Sequence, residues 1–562
     1  RVFFDRIHEE IASRPDMPEW NGELYFEYHR GTLTSMGKNK RNNRKSEILY
    51  EQLETLGVMG EAYGQEYPAE VLKSGWDIIL LNHFHDIIPG SAIEAVYDQT
   101  DVEYAQIRQD GMRALSQLTD GIAEKIHGED TQNGEETTIF VYNTQGYDRD
   151  DVVCIDAEKV KGWNRHVTAM VDAEGNLSPV QYAANGDLLF FAQAIPSVGY
   201  KSFVPVMGEP DTEQKKIWDG SFENAYYRVQ FDDQMRITSL VEKETEHEFI
   251  KEGTTGNRLV TYEDRPMNWD NWDLDMFYKK KPYEADEVSA PELMEAGPVR
   301  TVVRIRRRFA DSTVDQDVIL YPELPRIDFK TSADWQDHHV LLRTLFPVDV
   351  NSTKASYEIQ FGNVERETTH NQSWDTAKFE VCAHKWSDLS EQGLGISLLN
   401  DCKYGYSVRD GEMGLTLIKS GVYPNENADI GHHEFTYAIY PHAERWQDAR
   451  TIEMAYDLNV PLHASIVEGA DSRTESSMIA MEEDHCFFET IKRAEDGDGY
   501  ILRVYENKNK RSKIHIAVNL PVSEVIECDL MERPLAKVPF ENGVLEDSIK
   551  PYEIKTYRLH QA

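Results

Sequence analysis

Near residue 130 the apolar residues of this chain change their period, and that change constrains its fold more than any other feature. Before it, Ile93, Val96, Thr100, Tyr104, Ile107, Leu115, Leu118, Ile122 and Ile126 recur mostly three or four apart, which predicts one face of a helix about nine turns long. Ser91 with Glu94 three residues on reads as a capping box that opens this helix, and Gly128 reads as its end. Ile48, Leu49, Leu53 and Leu56 predict a shorter helix ending at Gly57. Pro68 opens a third, with Leu72, Trp76, Ile79 and Leu80 on one face. This third helix is apolar nearly all round at Ile78 to Leu81. Its last turn, with His83, His85 and Asp86, is therefore expected to be buried and to break at Pro89-Gly90.

Past a polar spacer, GEDTQNGEETT, the period falls to two. TTIFVYN, AYYRVQFDDQMRITSLV, VRTVVRIRRRFA, GYILRVYE and KIHIAVNL alternate and are rich in β-branched residues, so each predicts strands. Breaks are expected in GEPDTEQKK near 208–216 and EGADSRTESS near 468–477. At 562 residues the chain is too long for one core, and roughly three to five units are expected. The predicted class is α+β and multidomain: an N-terminal three-helix bundle over 26–130, then all-β sandwich domains. These are a small β domain over 137–207, a large β-sandwich over 217–467 and a C-terminal sandwich over 478–562.

Lys plus Arg number 59 against 100 Asp plus Glu, a formal charge of -41, and such a field repels phosphate backbones and anionic headgroups. Nucleic acid and membrane are therefore excluded as partners, while a neutral substrate is compatible. No apolar run approaches the roughly 18 residues that span a bilayer, so a soluble protein is expected. The five cysteines are few, far apart and without a CxxC pair, which suggests free thiols in a reducing compartment. The chain opens RVFFDRIHEE, neither an initiator Met nor a signal peptide, and reads as the interior of a longer protein.

Three short segments could carry chemistry. LLNHFHDIIPGS, residues 80–91, offers two imidazoles and a carboxylate, donors that suit a borderline metal such as zinc. His83 and His85 stand about 200° apart round a helix, so at most one is a ligand. By composition alone, a buried histidine donating to a backbone carbonyl is the commoner arrangement. ELYFEYHRGTLTS, residues 23–35, leads Tyr28, His29 and Arg30 into a Gly turn, which suits a polar ligand or an ordinary helix start. NWDNWDLDMFY, residues 268–278, alternates Trp with Asp; Asp270, Trp272 and Asp273 could contact a sugar, or the loop could close a sandwich end. EDGDGY, residues 495–500, reads as a hairpin turn and not as a calcium loop. No G-x-S-x-G, P-loop or Rossmann fingerprint is present.

ELYFEYHRGTLTS, LLNHFHDIIPGS, HKWSDLSEQGLGISLLNDCKYGY and KRAEDGDGYILRVYE resemble family 38 α-mannosidases, and the likeness runs from about residue 23 to the C-terminus. It is nearest the bacterial and cytosolic subgroup, in which FHDIIPGS replaces the double-His motif of the Golgi and lysosomal enzymes. The resemblance implies a catalytic α/β domain ahead of the bundle, of which residues 1–25 would be the last part. It implies hydrolysis of terminal α-mannosides by a retaining, metal-dependent mechanism, with a mannoside oligosaccharide as substrate, a homo-oligomer as the assembly and the cytoplasm as the location. It implies one divalent ion, usually zinc, with His85 as a ligand and Asp86 on the mannose hydroxyls. Tyr28, His29 and Arg30, then Asp270, Trp272 and Asp273, carry over as site-lining residues. No catalytic carboxylate can be assigned, because no H-x-D occurs upstream of the bundle, and the chain alone is expected to be inactive. The alternative is a carbohydrate-binding or scaffolding β protein without hydrolytic chemistry.

Overall fold

The computed structural model describes residues 1–562 apart from 128–136, 164–165, 210–216 and 470–472. Most of the spacer, the expected stop at Gly128 and most of the expected break at 208–216 lie outside the described residues. Four long or exposed helices come first: α1 (Val2–Ala12), α2 (Gly37–Ala62), α3 (Ala69–Asn82) and α4 (Glu94–His127). Helix α1 buries none of its residues. The other three pack together around Leu53, Leu56, Ile79 and Ile122, all fully buried, and each such side chain contributes roughly 1.5–3 kcal/mol relative to exposure. Tyr50 of α2 crosses this core and donates to the Ile107 carbonyl at 3.0 Å.

Helix α4 follows its stripe from Thr100 to Ile122, whereas Ile93 lies before its first turn and is exposed. Ser91 is not its cap. The helix starts at Glu94, and the Ser91 hydroxyl instead donates to the Asp86 carbonyl at 3.4 Å, closing the preceding turn. Helix α2 is longer than expected at both ends. It passes through Gly57 because a Cβ there would stand 2.7 Å from the Tyr67 ring, so the glycine allows a close approach and does not end the helix. It also begins two to three turns before Ile48, in GKNKRNNRKS, whose Asn39, Lys40, Asn43 and Arg44 are buried. The Arg44 guanidinium donates to the Tyr404 hydroxyl, the Asn400 side-chain oxygen and the carbonyls of His384 and Lys403, which docks α2 on the β domains.

The strands pair antiparallel throughout the described registers, from Thr137↔Glu468 onward. Strand Thr301–Phe309 shows why alternation works: Val303 and Ile305 are fully buried, while Arg304 and Arg306 face outward onto Asp317 and Asp315 of the next strand. The central unit holds sheets of four, six and ten strands around a core that includes Phe329, Trp335, Phe346 and Tyr437. The C-terminal unit has sheets of four and five strands, and the EDGDGY turn joins Cys486–Arg493 to Tyr500–Glu506 as the expected hairpin. The expected boundary at 467 does not follow the sheets. Strand His463–Glu468 pairs with Thr137–Asn143, and Glu475–Ser477 pairs with Gly199–Gly208, so the chain returns to complete the first sheet. Among the described residues no helix is long and apolar enough to cross a membrane.

Gly75 in α3 faces the Tyr50 ring, and a Cβ there would lie 1.8 Å from it. Alanine gains about 1 kcal/mol in helix propensity, but overpacking a filled core costs about 1–3 kcal/mol, and so severe an overlap decides the sign. Gly75→Ala is expected to lower the urea midpoint of the bundle; an unchanged or raised midpoint would contradict the packing described.

Candidate functional site

The three candidate segments, far apart in sequence, meet at one place. Arg30–Leu33 forms a short 3-10 turn whose Thr32 amide donates to the Trp272 carbonyl at 3.3 Å. Ser35 donates from its hydroxyl to the Asn271 carbonyl at 2.7 Å, and the Asn271 side-chain amide donates to the Gly90 carbonyl at 3.3 Å. Asn271 is fully buried. Gly90 has φ +87°, and a Cβ would sit 2.3 Å from the Ser35 carbonyl oxygen, so only glycine lets the 83–90 turn lie on the loop below it. From beneath, buried Lys40 donates to the carbonyls of Ser35 (2.5 Å) and Ile88 (2.9 Å). Burial pushes its pKa down to about 7, with the Asp429 carboxylate opposing that shift. Asp429 also accepts from the Met36 and Gly37 amides, both at 2.6 Å, and so caps α2 from the sandwich.

His85 and Asp86 sit on top of this cluster, and here the structure corrects the sequence reading. Helix α3 ends at Asn82, so the turn that carries them is not helical and not buried. The His85 side chain is 78% exposed and that of Asp86 56%, with His85 Nε2 3.4 Å from the Asp86 carboxylate. Leu80, Leu81 and Phe84 are exposed beside them, because the apolar end of α3 faces outward. His83 is anchored instead, its Nε2 2.8 Å from Glu47, which gives it a structural place.

The remaining candidates divide in two. Tyr28 and His29 are exposed, and Phe26 stands edge-on to His29 at 5.1 Å. Trp272 is half-buried between Trp269 and Tyr423. Arg30, Asp270 and Asp273 are occupied within the protein. Arg30 donates to the Ala377 carbonyl at 3.0 Å, lies over the Phe379 ring at 4.6 Å and comes within 3.8 Å of Asp273. Asp270 accepts from the Val422 amide at 2.6 Å. Sequence reasoning missed Lys40, Asn271, Asp429 and Lys419, the groups that fix these loops. Lys419 is fully buried and reaches both Asp264 (2.5 Å) and the Asp270 carbonyl (2.7 Å); burial raises the Asp264 pKa although the ammonium works to lower it.

A catalytic zinc takes three or more protein donors and keeps one position open. The described residues contain no group of three or more His, Cys, Asp and Glu side chains that could hold a metal ion, and His85 with Asp86 makes two. By themselves these residues do not fit a complete metal centre.

Three family models match the chain: "Alpha mannosidase middle domain" over residues 27–122, "Glycosyl hydrolases family 38 C-terminal domain" over 222–427, and "Glycosyl hydrolases family 38 C-terminal beta sandwich domain" over 486–557. This chain belongs to glycosyl hydrolase family 38. It is 34% identical to "Alpha-mannosidase 2C1" of Homo sapiens, covering 96% of this chain and 50% of that protein. It is 32% identical to "Alpha-mannosidase G" of Dictyostelium discoideum, covering 97% and 53%. The chain thus spans about half the length of the curated relatives it matches. An alpha-mannosidase structure from Enterococcus faecalis V583 superposes with a TM-score of 0.79 at 16% identity, over 99% of this chain and 72% of that one, which shows a shared fold.

Removing one partner of a buried ion pair costs about 3–5 kcal/mol, because the other charge stays buried alone. Lys419→Met is therefore expected to destabilise the central unit by that amount in urea unfolding, and Lys419→Met with Asp264→Leu to recover most of it. A single variant within about 0.5 kcal/mol of the unaltered chain would show that the pair does not hold the 264–273 loop.

Proposed function

We propose that this chain is the bundle-and-sandwich part of an α-mannosidase that removes terminal α-mannosyl residues by a retaining, metal-dependent route. His85 gives one ligand to a divalent ion, zinc by the chemistry of an imidazole donor, and Asp86 faces the mannose hydroxyls. The nucleophile, the acid/base carboxyl and the other ligands come from residues outside these 562. The observation that carries this reading is an imidazole and a carboxylate left exposed on a turn whose backbone is fixed from below by Lys40 and Asn271. A held backbone with free side chains suits a shared site, and exposed Leu80, Leu81 and Phe84 suit an apolar contact around it. The relatives are named alpha-mannosidases, and their greater length leaves room for the missing groups.

Within this reading the chain's own share is positional. Gly90 and Ser35 set the height of the turn, and the Asp86 carboxylate lies 3.4 Å from His85 Nε2, so the two donors present together. Five free cysteines support a reducing compartment, and we place the protein in the cytoplasm.

The test has two arms. The 562-residue chain, supplied with zinc, is expected to give no turnover of an aryl α-mannoside. In an intact family 38 relative, alanine at the position matching His85 is expected to lower both metal content and turnover by about a hundredfold or more, since even outer-shell partners of a ligand are worth 10–100-fold. Unaided hydrolysis by this chain, or full metal and turnover in the altered relative, would overturn the proposal.

A further inference from the structure

Between α2 and α3 on one side and the hairpin of Cys486–Arg493 and Tyr500–Glu506 on the other lies a cleft of about 790 Å³, within the usual size range of small-molecule sites. Leu72, Trp76 and Tyr67 form its apolar wall. Five carboxylates and four cations line it, a near balance in a chain whose overall charge is -41. Most of the rim charges are used, as in Lys73 with Asp77 (2.8 Å) and Lys492 with Glu532 (2.9 Å).

Three groups facing the cleft keep unused bonding capacity among the described residues. The Glu51 carboxylate has no hydrogen bond or ion pair; the residue is exposed at the surface, and desolvation by the protein around it, with Glu489 and Glu47 adding to it, drives its pKa well above the ordinary range. Glu51 and Thr490 line both this cleft and a small neighbouring cavity. Glu54, one turn on, accepts from the Trp76 indole N–H at 2.9 Å through one oxygen and leaves the other free; burial raises its pKa to about 7. Arg503 uses its Nε on the Thr556 hydroxyl at 3.1 Å and leaves both terminal nitrogens without a partner. All three groups are open to solvent, so a ligand that displaces that water has to bond a carboxyl and a guanidinium in its place.

We propose that this cleft binds a neutral, hydroxyl-rich ligand, a mono- or disaccharide, with Trp76 as its apolar wall and Glu51, Glu54 and Arg503 bonding its hydroxyls. Hydroxyls both donate and accept, which matches carboxyls beside a guanidinium, and an indole matches the apolar face of a sugar ring. The near balance of charge disfavours an ionic ligand of either sign. The cleft does not include His85, although Leu80 borders both, and the proposal does not rest on the function proposed above.

Calorimetric titration of the 562-residue chain with α-1,2-mannobiose tests it. Saturable binding is expected, weakened about tenfold or more by Glu51→Ala and by Arg503→Met, each loss corresponding to one hydrogen bond to the ligand. Glu51→Gln, whose amide both donates and accepts, is expected to stay within a few-fold of the unaltered chain, and His85→Ala to leave the affinity unchanged. Matching circular dichroism and melting curves confirm that each variant is folded. No saturable heat from the unaltered chain, an affinity indifferent to Arg503→Met, or a loss on His85→Ala would overturn the proposal; the last would put the sugar on the other face.

Discussion

One buried ammonium holds the candidate site together. Lys40 is 4% exposed, and it donates to the carbonyls of Ser35 and Ile88, one from each of the two loops that carry the exposed side chains. Removing it would leave two buried carbonyls unsatisfied, at about 1–3 kcal/mol each. Its helix is in turn fixed by Asp429, which caps the first amides of α2 from a loop of the central sandwich. The His85 turn therefore has its position set by the β domains, through a single turn of helix.

Farther along α2 the same logic repeats. Arg44 satisfies four acceptors on the loops around His384 and Lys403, while Tyr50, Leu53 and Leu56 build the bundle core and Gln52 reaches the Pro461 carbonyl at 3.1 Å. Buried charges also join the first sheet to the rest. Arg149 lies 2.8 Å from Asp457 and 2.5 Å from Asp151, and Arg326 stands between Asp151 and Asp328. Such contacts are directional where apolar packing is not, so they fix how the units sit against each other while the cores account for most of the burial.

The parts of the fold legible in sequence were those where one face is apolar and the other wet. The stripe from Thr100 to Ile122 and the alternation in Thr301–Phe309 are of this kind, and both elements lie where their period puts them. The first turns of α2 were not legible, because Asn39, Lys40, Asn43 and Arg44 look like a solvated face and are instead buried against backbone carbonyls of distant loops. Ile78 to Leu81 misled in the opposite way: an all-apolar helix end signals burial, yet Leu80 and Leu81 are exposed in this chain. Composition marked the three site segments, but not that Asn271 would tie them together. A buried amide between two Trp-Asp pairs has no periodic signature, and the Asp429 cap comes from nearly four hundred residues away in sequence.

Hydrogen–deuterium exchange on the Lys40→Met chain examines that dependence directly, read at residues 33–36 and 83–91 with the core of α4 as an internal reference. If Lys40 holds both loops, their amides exchange at least about tenfold faster in the variant while those of α4 keep their protection. Unchanged protection in both loops would contradict it, and would mean that the His85 turn keeps its place without the buried ammonium.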